Sequence, residues 1–211
     1  HTHDRRQRQM CIRDSPETVD IAKTITSQES KLNSETISKI HIPEIARDII
    51  EQISFEARES ELVDKKSGVS ARMSITSLQN LVSSAERRML INKEQITSIR
   101  MSDFNSVISS INGKVELVYE GEEEGAEQVS YNLISDAVKT LFTKYFPKIE
   151  KLTKPDEISV YDPILEWFTV NQLILRDDIS NKDYESILNK VKNADSILYK
   201  FIPDLSLIHI S

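Results

Sequence analysis

One arginine stands where a helix could present it to an anion. Arg72 follows Gly68 and Ser70, and a segment with helical apolar spacing begins beside it. Unpaired backbone N–H groups and the positive end of the helix dipole favour a phosphate at such a helix start. A guanidinium adds a planar, permanently charged fork that can bind phosphate oxygens at two points. On its own, the same pattern is also typical of a surface arginine or an ion-pair partner.

The two ends of the chain match each other at the nucleotide level. Residues 9–15 and 205–211 can be encoded by stretches that are reverse complements over about nineteen nucleotides, a pattern that resembles the transposon-end adapters of sequencing libraries. We therefore expect residues 1–15 and 205–211 to be adapter-derived and not native, and we exclude them from reasoning about the fold. The alternative is a basic N-terminal arm and an apolar C-terminal strand.

Few other residues could do chemistry once the ends are set aside. His41 is the one histidine that remains, and the single cysteine, Cys11, is lost. Thiol chemistry, a histidine-based metal site and a Ser-His-Asp triad are therefore excluded. The acidic residues 120–125 are interpreted as a solvated turn before a helix, because no second set of oxygen ligands is spaced to complete a cation's shell.

Composition excludes several classes of protein. The 211 residues carry 27 Lys and Arg against 34 Asp and Glu, and removal of the ends leaves 23 against 32, a net charge of −9. This acidic balance argues against a general nucleic-acid binder, and no apolar run approaches the ~20 residues of a membrane span. One cysteine excludes a disulfide framework, and four glycines are too few for an all-β sandwich. We expect an acidic, soluble, cytoplasmic protein that is mostly helical.

Apolar residues recur at helical spacing in three long segments. The pattern predicts helices over 43–57, 71–91 and 126–146, with Ser70 as the N-cap of the second and Pro147 ending the third. Weaker patterns predict helices over 17–32, from Ser102 to about 112, and over 164–175, 184–191 and 194–202. Residues 59–68 are expected to form a loop and residues 96–101 a short extended piece. The fold class predicted from the sequence is all-α.

Several stretches resemble one family of ATPases. They are residues 67–74, which include Arg72, then Ala85-Glu86-Arg87-Arg88, and then residues 96–104, Ile-Thr-Ser-Ile-Arg-Met-Ser-Asp-Phe. Together they resemble the helical lid of AAA+ ATPases in the magnesium chelatase and MoxR-like group. Residues 52–58 and 114–121 resemble the C-terminal part of bacterial proteins described as magnesium chelatase ATPase subunit I-like. The resemblance extends over nearly all of residues 16–204.

The resemblance implies both an architecture and a role. Residues 16–112 would form the AAA+ lid and residues 113–204 a helical C-terminal extension. Arg72 would be the sensor 2 arginine that contacts nucleotide, while Arg87 and Arg88 are interpreted as charges on the helix surface. The full-length parent would use ATP and Mg²⁺, assemble as a homo-oligomeric ring through an AAA+ core and act on an unidentified protein partner, without nucleic acid.

The chain itself lacks the family's catalytic residues. It contains no G-x-x-x-x-G-K-[ST] phosphate loop, so we expect it to hydrolyse no ATP alone and assign it no catalytic residue and no metal ligand. A different class of function stays open, namely a stand-alone acidic helical module that binds a protein and never meets nucleotide. Transcriptional activation with sigma-54 has less support, because no helix-turn-helix with a basic recognition helix follows the lid.

Overall fold

The computed structural model describes Pro16 and residues 18–147, 159–192 and 194–201. The predicted all-α fold is confirmed over these ranges, where the only sheet is a pair of two-residue strands. In chain order the elements are α1 (Val19–Glu29), α2 (Ser34–Lys39), β1 (Ile40–His41), α3 (Glu44–Glu59), α4 (Ala71–Ile91), β2 (Thr97–Ser98), a 3₁₀ helix (Met101–Val107), α5 (Ile108–Asn112), α6 (Tyr119–Glu124), α7 (Ala126–Tyr145), α8 (Asp162–Val170), α9 (Asn181–Leu188) and α10 (Ala194–Phe201). The adapter prediction, including the expected exposure of Met10, Cys11, Ile12, Leu205, Leu207 and Ile208, lies outside the described residues.

The three long predicted helices are confirmed as α3, α4 and α7. The N-cap prediction for α4 is also confirmed, since Ser70 Oγ accepts a hydrogen bond from the Arg72 N–H at 3.2 Å. The apolar stripe of α4 is buried as its spacing requires, and its largest members are Met73, Leu78, Leu81, Val82 and Met89. Helices α1 and α3, the 3₁₀ helix and α5 all pack against α4.

The described residues form two compact units, the first ending at Leu141 and the second beginning at Phe142. The boundary predicted at residue 112 therefore falls inside the first unit. Backbone hydrogen bonds across that point tie the two sides together: Asp64 N–H donates to the Glu116 carbonyl at 2.9 Å, and Val118 N–H donates to the Leu62 carbonyl at 3.1 Å. These hydrogen bonds give backbone groups on both sides of residue 112 their partners within one unit.

The two strands join distant parts of the first unit. Strand β1 pairs in parallel with β2, with Ile40 opposite Thr97 and His41 opposite Ser98. The Ile99 N–H extends the pairing by donating to the His41 carbonyl at 3.0 Å. The extended piece predicted within 96–101 is confirmed as β2. Its partner β1 was not predicted, because two residues are too few to show the alternation of a strand.

Two local predictions were wrong, and one helix was not predicted. The 3₁₀ helix begins after Arg100 and not at Ser102, because the Asp103 carboxylate accepts the Arg100 N–H at 2.8 Å and caps the helix there. Residues 120–124 are not a turn but belong to helix α6. Gly121 lets α6 lie against the loop after α3, since a Cβ at this position would be 2.5 Å from the Leu62 carbonyl oxygen. Helix α2 was missed altogether.

The second unit is built from short helices and aromatic contacts. Phe142 stacks on Phe146 with ring centroids 4.7 Å apart, and the Phe201 ring lies 5.9 Å from Phe146. Helix α8 is shorter than predicted, ending at Val170, because Asn171 adopts extended backbone angles. In the part of the chain that the structure describes, no helix has the length and apolar character needed to cross a membrane.

Candidate functional site

The structure places Arg72 in the first turn of the 21-residue helix α4, with its side chain exposed. That turn contains no acidic residue, although acidic side chains are the ones that a helix N-terminus favours. Within the described ranges, the Arg72 guanidinium has no ion-pair or hydrogen-bond partner; its own N–H is capped by Ser70. An exposed, uncompensated cation thus stands beside the positive end of a long helix, an arrangement that a bound anion would stabilise.

The turn before α4 is held by side chains on both of its sides. Asp64 accepts the Lys66 N–H at 2.9 Å on its carboxylate and the Ser67 N–H at 3.1 Å on its carbonyl. Ser67 Oγ also donates to the Glu116 carboxylate. Gly68 then takes a left-handed backbone angle, with φ of 69°, which glycine adopts without the steric cost of a Cβ. The start of α4 is therefore fixed before the chain reaches Arg72.

A buried polar cluster lies two residues beyond Arg72. Ser74 Oγ donates to Glu51 Oε2 of α3 at 2.8 Å and lies 2.8 Å from Ser54 Oγ. Burial raises the pKa of the Glu51 carboxyl, while the hydrogen bond from Ser74 and the charges of Arg58 and Lys23 act in the opposite direction. This Glu51–Ser74–Ser54 cluster fastens the first turn of α4 to α3, and so it also fixes the backbone that carries Arg72.

The other end of α4 carries a second arginine in a different setting. Arg88 is only 4% exposed, and its Nη2 lies 2.9 Å from Asp103 Oδ2 in an ion pair. Its Nη1 donates to Thr97 Oγ1 and its Nη2 to the Ser98 carbonyl, both at 2.8 Å. The prediction that Arg88 is a surface charge was therefore wrong, whereas Arg87 is exposed as predicted.

These contacts give the stretch 96–104 a structural role. Thr97, Ser98 and Asp103 together surround the Arg88 guanidinium, and Asp103 also caps the 3₁₀ helix. A signal for this arrangement was present in the sequence. Arg88 follows Leu81 by seven residues and Ala85 by three, which puts it on the buried stripe of α4. An arginine on that stripe requires an acidic partner.

The remaining candidates do not join Arg72 in a site. His41 is exposed on β1, and the glutamates of α6 are exposed as well. Over the described ranges, no three His, Cys, Asp or Glu residues are grouped so that they could hold a metal ion. The sequence-predicted site thus consists of Arg72 alone, with the Glu51–Ser74–Ser54 cluster as the support that sequence reasoning missed.

Comparison with known proteins identifies no relative of this chain. No protein-family model matches it, and no match is found among curated proteins or among solved structures.

Proposed function

We propose that this chain is the lid and C-terminal extension of an AAA+ ATPase of the magnesium chelatase and MoxR-like group, acting in the cytoplasm. In this proposal Arg72 contacts the γ-phosphate of ATP held by a core domain that is not part of the sequence. The observation that carries the proposal is the exposed, uncompensated guanidinium of Arg72 at the start of α4. ATP and Mg²⁺ would bind in the full-length, ring-forming parent, and no residue of this chain is proposed as catalytic or metal-binding.

The contacts around α4 are suited to transmitting a movement. The Glu51–Ser74–Ser54 cluster holds one end of the helix to α3, and the Arg88–Asp103 ion pair holds the other end to the 3₁₀ helix. A displacement of Arg72 on binding or losing a phosphate would therefore move the packed helices together, in the manner of hinge motions between rigid domains. The first unit would relay the nucleotide state to a protein partner.

The test is a set of arginine variants in the full-length protein. Arg72→Ala should lower ATP turnover by about 10²-fold, because a cation aligned with developing phosphate charge contributes far more in the transition state than in the ground state. Arg72→Lys should restore little of this loss, since an ammonium lacks the planar two-point contact. Steady-state ATP hydrolysis measured at saturating ATP reports both effects.

Arg87→Ala is the matched control, because Arg87 is also an exposed arginine of α4 but lies at the other end of the helix. Its ATP turnover should equal that of the unmodified protein. Full activity in Arg72→Ala, or an equal loss in Arg72→Ala and Arg87→Ala, would contradict the role proposed for Arg72.

A second function is supported by the acidic surface. The exposed carboxylates of α6 are Glu120, Glu122, Glu123 and Glu124, and they suit a stand-alone helical module that binds a protein without nucleotide. The gene's upstream reading frame separates the two functions. A phosphate-loop sequence before residue 16 supports the ATPase, and a start codon close to residue 16 supports the module.

A further inference from the structure

A groove opens in the first unit between the C-terminal end of α3 and the middle of α7. Its volume is about 370 Å³, within the range of clefts that hold ligands or side chains of a partner. Leu62, Val129 and Leu133 supply its apolar lining. Val129 and Leu133 also belong to the buried face of α7, so the base of the groove is part of the packed helix interface.

The rim of the groove carries an excess of negative charge. Glu56, Glu59 and Asp136 line it together with a single cation, Lys139. Lys139 Nζ lies 2.9 Å from Asp136 Oδ1, which leaves two glutamates uncompensated by that lysine. A cleft whose walls carry one sign of charge concentrates the electric field at its mouth and attracts groups of the opposite sign.

The two glutamates differ in how firmly they are held. Glu56 Oε1 accepts hydrogen bonds from Thr140 Oγ1 at 2.7 Å and from Gln52 Nε2 at 2.9 Å, so its carboxylate is oriented by both α7 and α3. Glu59 lies one helical turn further along α3 and is exposed. One carboxylate is thus fixed at the wall, and the other is available at the rim.

The negative surface continues from the groove to α6. Asn132 lines the groove, and its Nδ2 donates to Glu124 Oε1 at 2.6 Å. Through this contact, the groove is joined to the exposed carboxylates of α6. A partner that enters the groove would therefore encounter acidic side chains along its approach as well as inside.

We propose that this groove binds an arginine-bearing segment of a protein partner. The aliphatic part of an arginine would lie on Leu62, which is half-buried, and its guanidinium would meet Glu56 and Glu59, since a guanidinium pairs with carboxylates at two points and its stem covers apolar surface. The carboxylates oppose a nucleic acid or another anion. The inference rests on the protein partner that both proposed functions require, and it is independent of Arg72 and of nucleotide.

The experiment measures binding of a short synthetic peptide of alternating arginine and serine to the full chain by isothermal titration calorimetry without nucleotide. The unmodified chain should bind, with affinity that falls as salt is added. The double variant Glu56→Gln, Glu59→Gln should lose at least about tenfold in affinity, as expected when close charge pairs at an interface are removed. The matched control, Glu29→Gln with Glu35→Gln, changes charge equally at exposed positions of α1 and α2 that do not line the groove, and it should lose less than about threefold in affinity.

Charge reversal gives a second, independent readout. Glu59→Lys should abolish binding of the arginine peptide, and the helical circular dichroism of the chain should not change, because Glu59 is exposed. The proposal is overturned by absence of peptide binding to the unmodified chain at low salt, or by equal losses in the groove double variant and the control double variant, which would show attraction by overall charge alone. Because ATP turnover is not measured, failure here leaves the Arg72 proposal standing, and the reverse also holds.

Discussion

The two ends of helix α4 carry arginines in opposite environments. At the N-terminal end Arg72 is exposed and has no partner among the described residues, while the polar groups next to it, Ser74 and Glu51, are buried. At the C-terminal end Arg88 is itself buried and is held by Asp103, Thr97 and Ser98. The same residue type thus serves the packing of the fold at one end and, at the other, is exposed without a partner among the described residues.

Arg72 and Arg88 of α4 are expected to differ in what they contribute to stability. An arginine in a buried ion pair helps to hold the packed elements together. Its removal leaves the carboxylate of its partner buried without a compensating charge. An exposed arginine contributes little to stability, so stability alone does not require an arginine at that position. Comparing variants at the two ends therefore separates these roles, provided that stability and activity are measured on the same proteins.

The largest expected effect on stability comes from the buried end. Arg88→Ala should lower the free energy of unfolding by about 3–5 kcal/mol, because it leaves the Asp103 carboxylate buried without its cation. Urea unfolding followed by circular dichroism measures the change. Arg87→Ala, at the exposed neighbouring position, should change stability by less than about 0.5 kcal/mol. A small effect in Arg88→Ala would show that the two ends of α4 are not different in kind.

The pH dependence of the free energy of unfolding tests the Glu51–Ser74–Ser54 cluster next to Arg72. Since burial raises the pKa of the Glu51 carboxyl, the folded protein binds that proton more tightly than the unfolded chain does. The contribution of this group to stability is therefore fully present below the ordinary glutamate pKa and is lost as pH rises through the raised value.

Glu51→Gln removes the titration, so the free energy of unfolding should fall less steeply with rising pH than in the unmodified chain. Glu59→Gln, an exposed glutamate of the same helix, should leave the slope as it is. Equal slopes in the unmodified chain and in Glu51→Gln would mean that the cluster carries no titrating group with a raised pKa.

A small effect on stability is expected at the exposed end of α4, and it makes the comparison with Arg88 direct. Arg72→Ala should change the free energy of unfolding by less than about 1 kcal/mol, since an exposed side chain without a partner contributes little. Measured beside Arg88→Ala in the same denaturant series, it gives the contrast directly. A loss of several kcal/mol in Arg72→Ala would place this arginine with Arg88 as a structural residue and remove the reason for regarding it as available.

The sequence predicted the elements with strong periodicity and missed those defined by contacts. Helices α3, α4 and α7 follow from apolar spacing, and the cap at Ser70 follows from residue type. Strand β1 depends on pairing with β2, a segment far away in the chain, which no local pattern records. The burial of Arg88 was indicated by its place on the apolar stripe of α4, and that signal was overlooked. The exposure of Arg72 is compatible both with an anion-binding arginine and with an ordinary surface arginine. The Glu51–Ser74–Ser54 cluster behind it was missed, because a serine and a glutamate on separate helices give no shared signal.

The pairing of β1 with β2 has a kinetic consequence. The Ser98 hydroxyl reaches the carbonyl of His41, 57 residues earlier in the chain, so the pairing closes a long loop whose entropic cost must be met before the contact forms. Contacts of α3 with α4 close shorter loops and are expected to form earlier along the folding pathway. Thr97 and Ser98 of β2 also hold Arg88, so the contacts at that end of α4 should form late in folding. A substitution that weakens these contacts should therefore accelerate unfolding far more than it slows folding.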